Sequence, residues 1–191
     1  RKYYWQARGI AEKNQLIKKD EAAIWNGIGN FYMTYGEYDS MMVYYQDALD
    51  LFLETNYKTG IAMTYNNIAI ANFYTGDLEG ALEYFTKGLQ VRKLNKDSIG
   101  ESQSLNNIGL YYYHIEDYST AVEYFNQSLD LAVKIKATSE MYDAAFALYE
   151  LYEKQEDYKN AFVFRDCTFV LREKMASTRH QRNVEDLEAK Y

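Results

Sequence analysis

Residues able to do chemistry are sparse in this chain, and the ones that recur do so at a fixed interval. Glu37, Asp77, Asp117 and Asp157 stand 40 residues apart. Proton transfer by paired acids needs two carboxyls at one shared site, which one acid per repeat does not supply. Each instead enters a second helix, where the helix dipole favours negative charge. The histidines are His114 and His180 and the only thiol is Cys167, too few for a zinc site or for nucleophile activation by paired imidazoles. His114 reads as a solvent-facing or groove residue. Cys167, between Phe164, Phe169 and Leu171, reads as a core or near-surface thiol, and its isolation excludes internal disulfides. Gly27 and Gly29 lie inside a helical pattern rather than after a strand, so they form no phosphate loop. What does recur is carboxamide: Asn26, Asn66 and Asn106, with Asn67 and Asn107 directly after two of them. A carboxamide carries both donors and an acceptor and can pair with peptide backbone. No catalytic residue, metal ligand or cofactor is expected.

The elements that carry these residues are copies of one unit. Trp25 to Leu49, Tyr65 to Leu89 and Leu105 to Leu129 align without gaps, and Ala145 to Phe169 follows in degenerate form. A period between 20 and 50 residues marks stacked repeats that build a continuous core with their neighbours. Each copy reads as two helices. Ile28, Ile68, Ile108 and Leu148 precede Tyr32, Asn72, Tyr112 and Tyr152 by one helical turn on one face. Gly29, Ala69 and Gly109 on the first helix, and Ala81, Ala121 and Ala161 on the second with Met41 in the first copy, fall where helices must approach closely. Tyr44, Tyr84, Tyr124 and Phe164, beside Tyr45, Phe85 and Phe125, are expected to fill the space between repeats. Ser98 with Glu101 has the pattern of a capping box, and Asn56 to Gly60 and Asn95 to Ser98 are turn signals.

The chain is helical, folded and acidic, with 48% hydrophobic residues, a net charge of -7 and a pI near 5.0. Its scattered Lys and Arg argue against nucleic-acid binding. No segment approaches the ~20 apolar residues of a membrane span. The opening Arg1 to Trp5 reads as helix interior, so a piece of a longer protein is expected; residues 3 to 17, with Tyr4 lying 40 before Tyr44, resemble the second helix of a preceding repeat.

Trp25, Ile28, Gly29 and Tyr32, followed by Gly36, Tyr38, Tyr45 and Ala48, resemble the signature of the tetratricopeptide repeat. Leu105, Ile108, Gly109, Tyr112, Tyr118, Ala121, Phe125 and Leu129 match it nearly as well, and the second copy departs mainly at Asn72. The chain has no proline and adds six residues to the 34-residue form. That long form is similar to the repeats of kinesin light chains, bacterial peptide-pheromone receptors and membrane-bound bacterial sensors. The fourth copy departs at Tyr149, Arg165 and Thr168. The resemblance implies an all-α, right-handed superhelical solenoid of antiparallel helix pairs with a C-terminal helical linker. The divisions expected are residues 1–24, the second helix of a preceding partial repeat and its turn; repeats over 25–64, 65–104 and 105–144; a degenerate repeat or cap over 145–175; and a linker or start of coiled coil over 176–191.

First helices of such solenoids line the inner groove, and residues 25–36, 65–76 and 105–115 contain no Asp, Glu, Lys or Arg. By the resemblance the groove faces are Asn26, Asn30 and Met33, then Asn66, Ile70 and Phe73, then Asn106, Leu110 and Tyr113, with Asn67 and Asn107 beside them. Carboxamides among apolar side chains suit a peptide or protein ligand. The competing reading has these Asn residues bond the neighbouring repeat's backbone. No cationic clamp for an acidic chaperone tail is expected. Val184, Leu187 and Tyr191 have coiled-coil spacing, so a homodimer through the C-terminal helix is a further expectation. Val184 to Tyr191, after degenerate repeats, resembles the juncture of bacterial membrane-anchored sensors with a histidine kinase or helix-turn-helix output. That implies a periplasmic, non-catalytic sensory region; a free cytoplasmic scaffold or peptide-responsive regulator is the alternative.

Overall fold

The computed structural model describes residues 18–188, so the expectations for residues 1–17 and for Tyr191 lie outside the described residues. Among the described residues there are eight helices: α1 (Lys18–Thr34), α2 (Tyr38–Glu54), α3 (Lys58–Thr75), α4 (Leu78–Leu94), α5 (Ser98–His114), α6 (Tyr118–Ile135), α7 (Thr138–Lys154) and α8 (Tyr158–Glu188). Each begins 20 residues after the last. The 40-residue period is therefore two helices of 17 or 18 residues and two short turns, α8 alone being longer.

One backbone device makes all seven turns. Gly36, Asn56, Gly76, Lys96, Glu116, Lys136 and Glu156, again 20 apart, have positive φ. Each turn carries the bond pair seen at Glu116 N–H to Tyr113 C=O (3.1 Å) and Asp117 N–H to Tyr112 C=O (2.9 Å). This is a left-handed C-terminal cap that satisfies the last carbonyls of a helix. It ends each helix without the proline that the sequence lacks. Asp77, Asp117 and Asp157 then start the next helix by accepting the N–H of Gly80, Thr120 and Asn160. Glu37 holds the same position and makes no side-chain cap bond.

The chain divides into two compact units at Asp97 and Ser98. In the first, α1 pairs with α2 and α3 with α4, while α2 and α1 both contact α3. Its core gathers Trp25, Tyr32, Met41, Tyr45, Phe52, Ile61 and Ile68. In the second, α5 pairs with α6 and α7 with α8, and α6 and α5 contact α7. Here Phe125, Leu148 and Leu151 are fully buried. The small residues act as expected. A Cβ on Gly29 would run into the Tyr45 ring, and one on Gly109 would lie 2.5 Å from Phe125.

Several expectations are corrected. The rings of Tyr44, Tyr124 and Phe164 stack on Tyr32, Tyr112 and Tyr152 at 5.3, 5.5 and 5.7 Å, and Tyr84 meets Tyr65 at 5.7 Å. These pairs join the two helices of one repeat rather than bridging repeats. Ser98 is already helical, so the expected capping box is out of register. Gly60 lies inside α3 against Phe52 rather than in a turn. The helix pairs start at residues 18, 58, 98 and 138, seven residues before the aligned blocks at 25, 65, 105 and 145, and α8 runs unbroken through residue 175.

Candidate functional site

The charge-poor stretches have helix around them, and their buried stripes pack against α2 and α4 in the first unit and α6 in the second. In the first unit the opposite stripe of α1 opens onto a cavity of about 330 Å³. Lys19, Asp20, Ala23, Asn26, Gly27 and Asn30 recur along α1 at helical spacing, and Phe52, Tyr57, Gly60 and Met63 close it from α2, the α2–α3 turn and α3. That size lies in the range of ligand pockets.

Asn26 is 7% exposed. Its Oδ1 accepts from Thr64 Oγ1 at 3.4 Å and from Asn67 Nδ2 at 3.1 Å. Asn30 is exposed, and its Oδ1 accepts from the Tyr45 hydroxyl at 2.6 Å and from Asn67 Nδ2 at 3.3 Å. Burial pushes the Tyr45 phenol up to about 12, so it stays protonated and donates. The two oxygens are thus turned into the packing of α1 on α3. Asn26 therefore bonds the neighbouring repeat through the side chains of Thr64 and Asn67, not its backbone, while also lining the cavity. The Nδ2 donors of Asn26 and Asn30 have no acceptor among the described residues, and both side chains line the cavity.

Gly27 leaves open space on the cavity wall. It sits mid-helix, where glycine costs about 1 kcal/mol relative to alanine. A Cβ there would meet nothing within 4 Å. Asn67 and Asn107 hold the equivalent position later in the chain. Lys19 adds a cation outside the charge-free block, its Nζ 4.2 Å from the centre of the Tyr57 ring.

Of the remaining expected residues, Met33 places its sulfur 3.9 Å from the Tyr45 hydroxyl, and Asn66, Asn67, Ile70 and Phe73 are half-buried on α3. The structure so brings Asn26, Asn30, Met33 and Asn67 into one cluster. In the second unit Asn106, Asn107, Leu110 and Tyr113 are half-buried on α5. Leu110 and Tyr113 pack against the core of that unit. Burial, and after it the Glu150 carboxylate, raises the Tyr113 phenol above its ordinary value. The Asn106 Oδ1 is buried with no partner. The reason is in the sequence: the counterparts of Thr64 and Asn67 are Ala144 and Ala147, both buried and neither a donor.

The residues sequence reasoning missed are Lys19, Asp20, Ala23, Phe52, Tyr57, Gly60 and Met63. They fall outside the aligned blocks or on second helices, and the signal that could have found them is the extension of the same helical stripe toward the start of α1. Burial raises the Cys167 thiol, away from nucleophile behaviour at neutral pH. Among the described residues no group of three or more His, Cys, Asp or Glu side chains could hold a metal ion, and no helix is long and apolar enough to cross a membrane.

Solved structures share this fold. Aspartyl phosphate phosphatase F from Bacillus subtilis is 17% identical with a TM-score of 0.78, over 84% of this chain and 42% of that one. A Rap protein complexed with competence and sporulation factor is 18% identical with a TM-score of 0.74, over 81% and 43%. A signal transduction ATPase with numerous domains from Pyrococcus horikoshii, which carries a tetratricopeptide repeat sensor, is 16% identical with a TM-score of 0.72, over 86% and 26%. The chain spans less than half the length of each of these three proteins, and at these identities the likeness is one of fold. No curated protein sequence matches it. The tetratricopeptide repeat profile matches residues 20–94 and 60–132, more than half of the chain, and the chain belongs to the tetratricopeptide repeat family.

Proposed function

We propose that this chain is a non-catalytic module that binds a peptide or an extended protein segment, and that the cavity over Gly27 receives one of the ligand's side chains. The observation that carries this is the helix-interior glycine, beside a space bordered by two carboxamides whose N–H donors meet no acceptor among the described residues. Those donors suit backbone carbonyls of an extended ligand, and Met63, Phe52 and Ala23 supply apolar wall. Within the first unit, Asn66, Asn67, Ile70 and Phe73 continue the ligand's path on this reading; Asn106, Asn107, Leu110 and Tyr113 are a separate candidate surface of the second unit. To test it, decapeptides are selected from a random display library on the wild-type protein. The best is titrated into protein carrying ¹³C-methyl methionine. Met63, 47% exposed on the cavity wall, should shift saturably with the affinity measured by calorimetry. Recovery of no peptide, or a bound peptide that leaves Met63 unmoved, overturns the assignment.

The finer reading is that the module is the sensory region of a bacterial signal-transduction protein with a histidine kinase or regulator as output, held on the periplasmic side of a membrane. Two observations support it. A protein of the same fold carries a tetratricopeptide repeat sensor, and every residue of α8 from Arg172 to Glu188 is exposed, as in a helix that leaves its domain toward another. A homodimer through the exposed Val184 and Leu187 belongs to the same proposal. Sequencing the intact reading frame tests it. An apolar span of ~20 residues soon after Tyr191, followed by a kinase or DNA-binding pattern, is the expected result. A stop codon there with no signal peptide upstream would favour a cytoplasmic peptide-responsive regulator; a Rap protein of the same fold is solved in complex with competence and sporulation factor.

A further inference from the structure

At the end of α1 the first repeat departs from the others in three residues at once. Phe31 and Tyr35 are 56% and 69% exposed, and their ring centroids lie 4.8 Å apart, tilted by 49°. Tyr32 stands edge-on to Phe31 at 5.7 Å. With Glu37 these rings line a shallow cleft of about 360 Å³. Gly36, with φ of 69°, turns the chain so that Tyr35 and Glu37 stand on either side of it. The counterparts of Phe31, Tyr35 and Glu37 are Ala71, Thr75 and Asp77, then Tyr111, Ile115 and Asp117, then Leu151, Gln155 and Asp157. Nothing in the repeat architecture requires two exposed rings here.

Glu37 is the informative member. The three aspartates at this position each accept an N–H three residues on, whereas Glu37 occupies the cap with no side-chain bond to the helix. Glu37 instead lines the aromatic cleft. Ring faces and a carboxylate in one cleft attract a cation, the rings through their quadrupoles and the carboxylate through charge. A planar guanidinium satisfies both, since it can lie on a ring while its fork meets the carboxylate in two parallel bonds. We propose that Phe31, Tyr35 and Glu37 form a binding site for an arginine side chain of a protein or peptide partner. The acidic chain, of net charge -7, favours such a partner's approach. This site is independent of the Gly27 cavity, and either can fail alone.

The test is an NMR titration with N-acetyl-arginine amide, followed at the Tyr35, Gly36 and Glu37 amides, with N-acetyl-lysine amide and tetramethylammonium as comparison probes. Saturable shifts with the arginine probe are expected, weaker ones with lysine. Glu37→Gln should weaken binding roughly tenfold. Phe31→Ala and Tyr35→Ala should each weaken it roughly two- to fivefold. All three side chains are exposed, and an unchanged helical spectrum confirms that the variants fold. No saturable shift, or equal affinity in Glu37→Gln, overturns the proposal. Tetramethylammonium binding as tightly as arginine and indifferent to Glu37→Gln would overturn the guanidinium assignment in favour of a purely aromatic site.

Discussion

Asn26 and Asn106 occupy the same repeat position in opposite circumstances, so the same substitution should have opposite effects at the two. Asn26→Ala removes an oxygen that accepts from Thr64 and Asn67 and deprives the fully buried Thr64 hydroxyl of that partner. Two bonds at about 1 kcal/mol each, offset by about 0.6 kcal/mol of helix propensity, give a loss of about 1.5 kcal/mol. Asn106→Ala removes an acceptor that is buried without a partner, a situation that costs about 1–3 kcal/mol, and gains the same propensity. Allowing for the small void left, it should be neutral or stabilise by about 1 kcal/mol. The assay is urea unfolding followed by helical circular dichroism, with amide hydrogen exchange in α3 and α7 to localise the change, because stacked repeats need not unfold all at once. Ala147→Asn supplies the missing donor, and in that background Asn106→Ala should become destabilising; the double-mutant cycle isolates the new bond. If Asn106→Ala costs as much as Asn26→Ala in the wild-type background, the assignment of Asn106 Oδ1 as an uncompensated buried acceptor is wrong.

Three other outcomes follow from the packing and the turns. Gly109→Ala places a methyl 2.5 Å from the Phe125 ring and should destabilise by about 1–3 kcal/mol in thermal unfolding. Glu116→Gly relieves a left-handed residue, φ 64°, and should raise stability by about 0.5–1 kcal/mol once the added freedom of the unfolded chain is subtracted. The Tyr45 phenol titrates at about 12 in the folded protein against about 10 when unfolded, so its stabilisation is complete below pH 10 and is lost as pH rises toward 12. Wild type should accordingly lose more stability than Tyr45→Phe between pH 9 and 11.5, with ultraviolet absorbance showing one late phenol missing in the variant; parallel losses would contradict it.

The repeat, its two helices and its close contacts were legible because they depend on spacing. Gly29 and Gly109 could be assigned to helix contacts from position alone, and Asp77, Asp117 and Asp157 to helix starts. The helix phase was not legible. The aligned blocks begin where the sequence is most alike, at Trp25 and its counterparts, while the helices begin seven residues earlier at Lys18 and its counterparts, where solvent-facing residues have diverged. The ring contacts were misassigned for a related reason: spacing puts Tyr44 on a helix face but does not say whether that face meets its own partner helix or the next repeat. Glu37 read as one more capping acid, since sequence shows its charge and not the extra methylene's effect on reach. The cavity was hidden because its walls come from residues distant in sequence, Lys19 to Asn30 on one side and Phe52 to Met63 on the other, and the orphaned Asn106 oxygen because its cause lies some 40 residues away at Ala144 and Ala147.

If the space over Gly27 is a ligand subsite rather than a gap in the packing, filling it must cost affinity. The direct measurement is the calorimetric affinity of the library-selected decapeptide for the wild-type protein and for Gly27→Leu. The leucine side chain enters open space and improves helix propensity by about 0.8 kcal/mol, so the variant should be at least as stable as wild type. A stable variant whose affinity is at least about tenfold weaker is expected, as a filled pocket requires. Equal affinity in the stable variant would contradict it.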